Sequence, residues 1–497
     1  PLNKDHLYKR ASMFFKMGDL KNALIDFNNV LEIDPSYVKA INIVGLIYEE
    51  QGKTENAIET YNSGIALHKE DPLAAAYCYR NRADLHVKKG NYEAALDDYT
   101  KSIELDPKNP IRYSKRASFY QQYTKKHNEA LIDLSAAIQL EPTDPDNFYN
   151  RGRHFHLYIK NDESAIKDYK SALELDSTHV ISLNNIGLIY QKFGKIEQAL
   201  ESYQKAIELK KIDPKSAALS YRNRAALYIE QKKMEMALTD VTSAIEIDPE
   251  NPEQYRARAE VYQNYLREFK LAILDYNICI ELEPENPIHF YYRAKLHHQL
   301  KQIDSAEDDY SKCIKLFAKI NPNHPFYINE RALFYSKIGN HKKALQDFDK
   351  VLMMDSTDRT VYYHRSKMYI KQKEFDKAKA DCEKSIEMDE NDPEGYYYLA
   401  EIYDLQENYF KALKNYNLAI LKLGGELDYY ISNDDGDRLP KSAIFLKLAE
   451  LYLKVDEKEI ACEDYQKALE LMKDEPFYMK KEEDQKALEE KIKTLCN

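Results

Sequence analysis

The sequence is short of residues that interrupt helices and of long apolar runs. It has 13 glycines and no tryptophan in 497 residues, but 41 tyrosines. No apolar segment approaches the length needed to span a bilayer, and no secretory signal opens the chain. We therefore expect a soluble, helical protein without a membrane span, packed mainly through tyrosine rings.

An excess of positive charge is also lacking. The formal net charge is −12. Because binding to a phosphate backbone needs clustered positive charge, we expect no nucleic-acid partner and a mild preference for basic protein partners.

Cysteine pairs at disulfide-like spacings are absent. Several of the six cysteines fall on small or ring positions of the helical pattern described below, where a thiol packs as a small apolar group. We therefore expect buried or incidental reduced thiols and a reducing, cytoplasmic compartment. The cysteines are Cys78, Cys279, Cys313, Cys382, Cys462 and Cys496.

A pattern of about thirty-four residues recurs thirteen times. In each unit a small residue is mostly followed three residues later by an aromatic ring or His, and a second small residue is mostly followed four residues later by a large side chain. Such spacings place these side chains on one helical face. The first small residues are Ala11, Gly45, Ala83, Ala117, Gly152, Gly187, Ala225, Ala259, Ala294, Ala332, Ser366, Ala400 and Ala449. The second are Ala23, Ala57, Ala95, Ala130, Ala165, Ala199, Ala237, Ala272, Ala306, Ala344, Ala378, Ala412 and Ala461.

Many units close with a proline after an acidic residue, where a helix must stop, so each unit is predicted to hold two short helices. The ordered set of small, aromatic and proline positions resembles the tetratricopeptide repeat family over residues 4–475. The resemblance implies an all-α, right-handed superhelical solenoid of about 13 repeats with a C-terminal capping helix. Departures are the missing tryptophan in every first helix and Ser177 and Ser356 at terminating positions.

A block of four repeats is duplicated at a spacing of 142 residues, so that Tyr79–Ala83 reappears as Tyr221–Ala225. Both copies follow a longer linker, before Pro72 and Pro214, which we expect to lengthen the preceding helix. The pattern is already under way at Pro1, which is compatible with a native chain that begins upstream. The predicted divisions are a first repeat at 1–37, a four-repeat block at 38–179, its duplicate at 180–324, three repeats at 325–423, an acidic loop at 424–441, a last repeat at 442–475 and a capping helix at 476–497.

Arginine precedes the first small residue in nine repeats, and each of these repeats also carries an aspartate before the ring of its second helix. Because the arginine never occurs without the aspartate, the pattern predicts an ion pair between the two helices of one repeat. A guanidinium can hold a carboxylate through two parallel hydrogen bonds. The alternative is a ladder of arginines for an acidic ligand, which would not require a matched aspartate.

The resemblance implies that the first helices line a concave face, where the positions two and three residues before the small residue point toward a partner. Asparagines in the first half suit the main chain of an extended peptide, and tyrosines in the second half suit apolar or aromatic anchors. The alternative is that these are ordinary solvated or packing residues. The candidate partner-binding residues are Arg80, Asn81, Tyr149, Asn150, Asn184, Asn185, Arg222, Asn223, Tyr291, Tyr292, Tyr363, His364, Tyr397 and Tyr398.

Co-chaperones of this family grip a terminal carboxylate with a set of Lys, Asn and Arg residues. Asn81 and Asn223 match one asparagine of that set, but Ile111 and Glu253 stand where lysine belongs. We therefore expect no receptor for chaperone tails.

No catalytic motif is present, and the two closely spaced histidine pairs diverge on their helices, so we expect no enzyme, no metal site and no cofactor. The sequence predicts a non-catalytic scaffold that binds a protein or peptide in its concave groove, and membership of a larger assembly is compatible with it. Two alternatives stay open. One is an RNA-binding helical solenoid, because some repeat spacings are thirty-five residues as in pentatricopeptide proteins, and the other is the substrate-selecting arm of a larger enzyme or complex.

Overall fold

The computed structural model describes residues 3–322, 324–423, 431–432, 438–474 and 481–496. The chain forms two compact units, Pro1–Gln254 and Tyr255–Asn497. Each unit by itself is a stack of helix pairs in which sequential helices pack together, which confirms the predicted all-α solenoid of repeats. The finer division into repeat blocks stays a prediction.

The first unit consists of short helices joined by tight turns. Its helices are α1 (Lys4–Lys16), α2 (Leu20–Ile33), α3 (Val38–Glu50), α4 (Thr54–Ala66), α5 (Pro72–Lys88), α6 (Tyr92–Leu105), α7 (Pro110–Phe119), α8 (His127–Leu140), α9 (Pro145–His154), α10 (Asp162–Leu175), α11 (Val180–Lys192), α12 (Ile196–Glu208), α13 (Pro214–Glu230) and α14 (Met234–Ile247). The boundary between the units falls in α15 (Pro252–Val261).

The second unit continues the same alternation. Its helices are α16 (Phe269–Leu282), α17 (Pro287–Gln299), α18 (Ile303–Ile320), α19 (Phe326–Lys337), α20 (His341–Met354), α21 (Arg359–Lys371), α22 (Phe375–Met388), α23 (Pro393–Leu405), α24 (Tyr409–Leu423), α25 (Lys441–Lys454), α26 (Lys458–Asp474) and α27 (Lys481–Leu495). Two short strands, β1 (Ile431–Ser432) and β2 (Arg438–Leu439), pair antiparallel. Most of the predicted acidic loop, 424–430 and 433–437, lies outside the described residues. None of the described helices is long and apolar enough to cross a membrane.

Odd-numbered helices from α1 to α25 are the first helices of the repeats, and even-numbered helices from α2 to α26 are the second. In the repeat of α5 and α6, Ala83 and Ala95 are fully buried and the ring of Tyr99 packs in the same cluster. Where glycine takes the first small position the ring comes closer still, since a Cβ on Gly45 would lie 2.3 Å from Cε1 of Tyr61. The small residues are therefore needed because the rings fill the space between the paired helices.

The turn after each first helix contains one residue in the left-handed backbone conformation. Glycine takes this position in five repeats and a charged residue takes it in the other eight. These positions are Gly18, Gly52, Gly90, Lys125, Lys160, Gly194, Lys232, Arg267, Lys301, Gly339, Lys373, Glu407 and Asp456. The packing of the repeat therefore imposes the turn even where no glycine is available, which explains how so few glycines suffice.

Three repeats contain one extra residue, and it is accommodated in a π-helical turn at the end of the first helix. The turns are Tyr120–Thr124, Phe155–Ile159 and Tyr262–Leu266. In the same repeats the paired arginine and aspartate lie 17 residues apart, whereas in the others they lie 16 apart. The thirty-five-residue spacings are therefore single-residue insertions absorbed as π turns, and they need no pentatricopeptide fold to explain them.

The prediction that the longer linkers lengthen the preceding helices is wrong. Helices α4 and α12 have 13 residues each, whereas the helices that follow the linkers, α5 and α13, have 17 each. Asp71 caps α5 by accepting a hydrogen bond from the backbone N–H of Ala74, and Pro72 takes the first turn. Asp213 and Pro214 do the same for α13. An N-cap followed by proline starts a helix, so the added residues extend its beginning.

The prediction of six reduced thiols is wrong for one pair. Cys462 on α26 and Cys496, just after α27, form a disulfide, with their Cα atoms 5.7 Å apart. Helix α27 packs on α26 in a cluster that contains Leu488, Tyr465 and Met472, and this packing brings together two cysteines that are 34 residues apart. The C-terminal helix is thus the predicted cap. The other four cysteines are buried thiols.

Candidate functional site

The arginine before the first small residue is held in an ion pair in nine repeats. Each arginine donates from Nε and Nη2 to both carboxylate oxygens of an aspartate in the second helix of its own repeat, as Arg82 does to Asp98 at 2.8 and 2.6 Å. The predicted bridge within the repeat is confirmed. The pairs are Arg10–Asp26, Arg82–Asp98, Arg116–Asp133, Arg151–Asp168, Arg224–Asp240, Arg258–Asp275, Arg293–Asp309, Arg331–Asp347 and Arg365–Asp381.

The aspartate of every pair is buried, so its charge depends on the arginine beside it. The hydrogen bond to Asp98 raises the pKa of Arg82. Burial raises the pKa of Asp275 and that of Asp381, although each carboxylate faces an arginine. A buried carboxylate stays ionised only beside a positively charged partner, and here the arginine is that partner. These arginines therefore have a structural role and do not form a ladder for an acidic ligand.

Asparagines of the predicted peptide-binding set join consecutive repeats. Asn81 donates from Nδ2 to Oδ1 of Asn42 at 2.9 Å, and Asn223 donates to Oδ1 of Asn184 at 2.8 Å. The two pairs occupy equivalent positions in the duplicated blocks, and Asn81 and Asn184 are buried. These amides therefore bond neighbouring first helices to one another, a role that the sequence alone did not indicate.

The other candidate residues of the first unit are partly exposed. Among them, Arg80 donates from Nη2 to Oδ1 of Asn81 at 2.6 Å, and Asn185 donates to the hydroxyl of Tyr169 at 3.3 Å. Part of each side chain stays exposed to solvent beyond these contacts. The partly exposed candidates of this unit are Arg80, Tyr149, Asn150, Asn185, Arg222 and Asn223.

The candidate residues of the second unit are largely packed against one another. Tyr291 donates from its hydroxyl to Oε2 of Glu330 at 2.7 Å, which links two repeats. The rings of Tyr363 and Tyr398 stack with their centroids 6.3 Å apart. Tyr291, Tyr363, Tyr397 and Tyr398 are buried, and Tyr292 and His364 are partly exposed. The rings thus hold repeats together, and only the parts of the rings that stay exposed can contact a partner.

Two open cavities lie along what we call the first-helix face of the first unit, the surface presented by the first helices of consecutive repeats. One, of about 320 Å³, lies between α7 and α9 and includes Lys115, Asn150 and Arg153. The other, of about 550 Å³, lies between α13 and the start of α15 and includes Arg222 and Gln254. Each cavity has acidic as well as basic side chains, which suits a polar ligand. Of the fourteen candidates, Asn150 and Arg222 line these cavities, and the partner-binding role of the set stays a prediction.

Among the lining residues that sequence reasoning missed are Lys115, Arg153 and Gln254. Lys115 lies two residues before Ala117, the same position as Asn81, but it lacked the asparagine signal that marked the other candidates. Arg153 and Gln254 lie outside the two positions considered. Gln254 could have been found by comparing the duplicated blocks, because the first copy has arginine at its position, Arg112. Over the part of the chain that the structure describes, no group of three or more His, Cys, Asp or Glu is placed to hold a metal ion.

Family models confirm what the helix pairs indicate. Models described as tetratricopeptide repeat match eight stretches, which together cover more than half of the sequence. The chain belongs to the tetratricopeptide repeat family. The matched residues are 7–37, 38–70, 76–109, 178–250, 290–320, 327–358, 360–392 and 382–414.

Curated relatives share only a few repeats with this tetratricopeptide repeat protein. Photosystem I assembly protein Ycf3 of Synechococcus elongatus is 28% identical over 86 residues, which are 17% of this chain and 49% of the relative. Protein unc-45 homolog B of Danio rerio is 32% identical over 84 residues, 17% of this chain and 9% of the relative. The chain thus spans about half the length, or less, of these relatives.

Solved structures match over longer stretches at low identity. Yeast Tom70 is 17% identical with a TM-score of 0.38, over 92% of this chain and 96% of that chain. A chain of the APC/C hetero-tetramer Cut9-Hcn1 is 12% identical with a TM-score of 0.38, over 98% and 96%. Neither structure bears on the function of this chain.

Proposed function

We propose that this chain is a non-catalytic interaction scaffold, which binds an extended segment of a partner protein or peptide along a concave groove formed by its first helices. The observation that supports this most is the presence of two open, polar cavities on the first-helix face of the first unit. Both are lined by side chains from consecutive repeats, so a bound segment would run across the repeats rather than sit within one.

The chemistry of the cavity between α7 and α9 fits a peptide main chain. Asn150 offers an amide that donates and accepts at once, and Ser114 and Ser118 offer hydroxyls. Lys115 and Arg153 add donors for carbonyl oxygens or acidic side chains of the ligand. A cavity of this kind holds a polar, extended segment without selecting one sequence.

The second unit is proposed to contact a different part of the partner. The exposed edges of Tyr292 and His364, set in rings that are already packed, favour apolar or aromatic anchor residues. Each unit would then present its own kind of surface, polar on the first unit and aromatic on the second.

The proposed scaffold function favours a protein that works within a larger protein assembly. One relative is a photosystem I assembly protein, although the match covers about half of it. We propose a cytoplasmic member of a larger protein assembly for this chain, with protein partners and no nucleic acid, consistent with its net charge of −12.

The test is selection of peptide ligands from a displayed random library, followed by calorimetry. Replacing Lys115, Asn150 and Arg153 together by alanine removes the polar groups of one cavity and should weaken binding at least tenfold. The matched control is Glu201→Ala with Lys205→Ala, an exposed ion pair on the second helix α12, and it should leave affinity unchanged. Equal affinity of the triple variant and the wild type would place the binding surface elsewhere.

A further inference from the structure

At the buried position of Arg112, on the first-helix face, the duplicated blocks differ in charge. In the first copy Arg112, at the start of α7, is only 2% exposed. It donates from Nε to Oδ2 of Asp106 at 2.9 Å, and from Nη1 to Oγ of Ser102 at 2.8 Å and to the carbonyl oxygen of Ala76 at 3.0 Å. Its guanidinium also lies 4.6 Å from the ring centre of Tyr77. The first copy thus fills this place with a guanidinium of its own.

The second copy keeps the carboxylate but lacks the guanidinium. The residues 142 positions later are Gln254 in place of Arg112, Leu219 in place of Tyr77 and Ala244 in place of Ser102. Asp248 stands where Asp106 does, and its carboxylate accepts from Nδ2 of Asn251 at 2.8 Å. The shorter side chains leave the open cavity of about 550 Å³.

A buried acceptor in this cavity has no partner. Gln254 is 2% exposed, and its Oε1 has no hydrogen-bond partner within the structure. An unsatisfied buried polar atom destabilises the folded state, so a ligand that donates a hydrogen bond to it gains affinity. Asp248 lines the same cavity and provides a carboxylate for a cationic donor, while Leu219 provides an apolar wall.

The basic residues of the cavity do not oppose a cation there. Arg222 corresponds to Arg80, and Arg80 coexists with the Arg112 guanidinium in the first copy. Arg222 also lies 3.9 Å from a carboxylate oxygen of Glu253. Lys215 is an added cation, but Glu250 replaces the lysine of the first copy, so the lining holds two basic and two acidic side chains.

We propose that this cavity, lined by Leu219, Arg222, Asp248, Asn251 and Gln254, binds an arginine side chain of a partner polypeptide in the place that Arg112 fills in the first copy. A guanidinium has five donors in a plane, which can serve the Asp248 carboxylate and Oε1 of Gln254 together. The proposal rests on the proposed function, because the arginine arrives as part of a segment bound to the first-helix face.

The first experiment measures binding of short Gly-Ser peptides with one central arginine, lysine, citrulline or glutamate by ligand-observed NMR. The arginine peptide should bind at least tenfold more tightly than the other three. Equal binding of all four, absence of binding, or preference for glutamate would overturn the proposal. The last result would show that Lys215 and Arg222 read an acidic ligand instead.

The second experiment fills the cavity from within. The variant Leu219→Tyr, Ala244→Ser, Gln254→Arg restores the residues of the first copy, so it should fold, melt at a higher temperature than wild type and lose the preference for arginine at least tenfold. Retained preference in a folded variant would overturn the proposal. The peptides selected from the library distinguish a failure of the arginine pocket from a failure of the scaffold function. If their binding depends on Lys115, Asn150 and Arg153 but not on this cavity, the scaffold function stands and the arginine pocket does not.

Discussion

Nine arginines of the first helices direct their donors to aspartates inside their own repeats, and this limits what the same residues can offer a partner. Asp98 is buried beside the partly buried Arg82, and removing either member leaves the charge of the other without its partner. The three repeats that lack both members have an apolar residue at the arginine position and an uncharged polar residue at the aspartate position. They carry Val44 with Thr60, Ile186 with Ser202 and Leu399 with Asn415.

This contrast leads to a double-mutant prediction. Asp98→Ala should destabilise the protein by about 3–5 kcal/mol, since it leaves the Arg82 guanidinium partly buried and unpaired. Arg82→Val with Asp98→Thr, copied from the repeat that carries Val44 and Thr60, should cost less than the single change. Chemical denaturation of the three proteins measures both values. A double variant at least as unstable as Asp98→Ala would show that the two side chains are not coupled.

A second residue-scale prediction concerns Glu394. Burial, with a hydrogen bond to the Asp392 carboxylate, raises the pKa of Glu394 to about 7. Between the ordinary glutamate value of 4.5 and about 7, the folded state therefore holds a proton that the unfolded chain has released. Stability should fall as pH rises through this window.

Glu394→Gln keeps a neutral donor toward Asp392 and should flatten the pH dependence of the melting temperature between pH 5 and 7. The exposed Glu390→Gln is the control and should leave the slope as in wild type. A slope unchanged by Glu394→Gln would show that this carboxyl does not titrate in the window.

At the scale of helices and turns, the connection within each repeat carries local strain wherever a side chain takes the left-handed position. Lys301 has φ of 58° and is exposed. Glycine adopts this conformation without steric cost, so Lys301→Gly should raise stability by about 0.5–1 kcal/mol.

The reverse change is the matched control. Gly90 has φ of 77°, and an added Cβ would meet nothing within 4 Å, so Gly90→Ala should lower stability through the backbone alone. Thermal unfolding of both variants measures the two effects. Equal melting temperatures for both would refute the claim that the left-handed position in the turn is strained when a side chain occupies it.

The disulfide is predicted to fasten the capping helix. Removing it with Cys496→Ser should destabilise the end of the array by about 2–4 kcal/mol and raise amide exchange in α27. Because the other four cysteines are buried, native protein should take up no maleimide until it is mildly reduced, and then two labels. Labelling of Cys496 without a reductant would contradict the bond.

At the scale of the whole chain, the repeat fold could be predicted because its signals recur thirteen times and each occurrence corrects the others. Small residues, rings and the nested arginine and aspartate positions were sufficient for the helix pairs and for their ion bridges. Features that occur once were harder, since the Cys462–Cys496 bond depends on how α27 docks, and the direction of helix lengthening depends on the caps at Asp71 and Asp213.

The candidate site was less accessible to prediction for a physical reason. A position that points away from its own helix can face either a partner or the next first helix, and sequence spacing does not distinguish the two. Asn81 and Asn184 bond neighbouring repeats, whereas Asn150 lines a cavity, although all three occupy similar positions in the pattern. Their roles differ because the adjacent repeat presents a different residue to each asparagine.

Hydrogen–deuterium exchange of the protein, with and without a selected peptide ligand, shows which helices the ligand covers. Binding along the first-helix face should slow exchange in α7, α9, α13 and the start of α15, and leave the second helices α8, α12 and α14 as in the free protein. Protection confined to the second helices would contradict it.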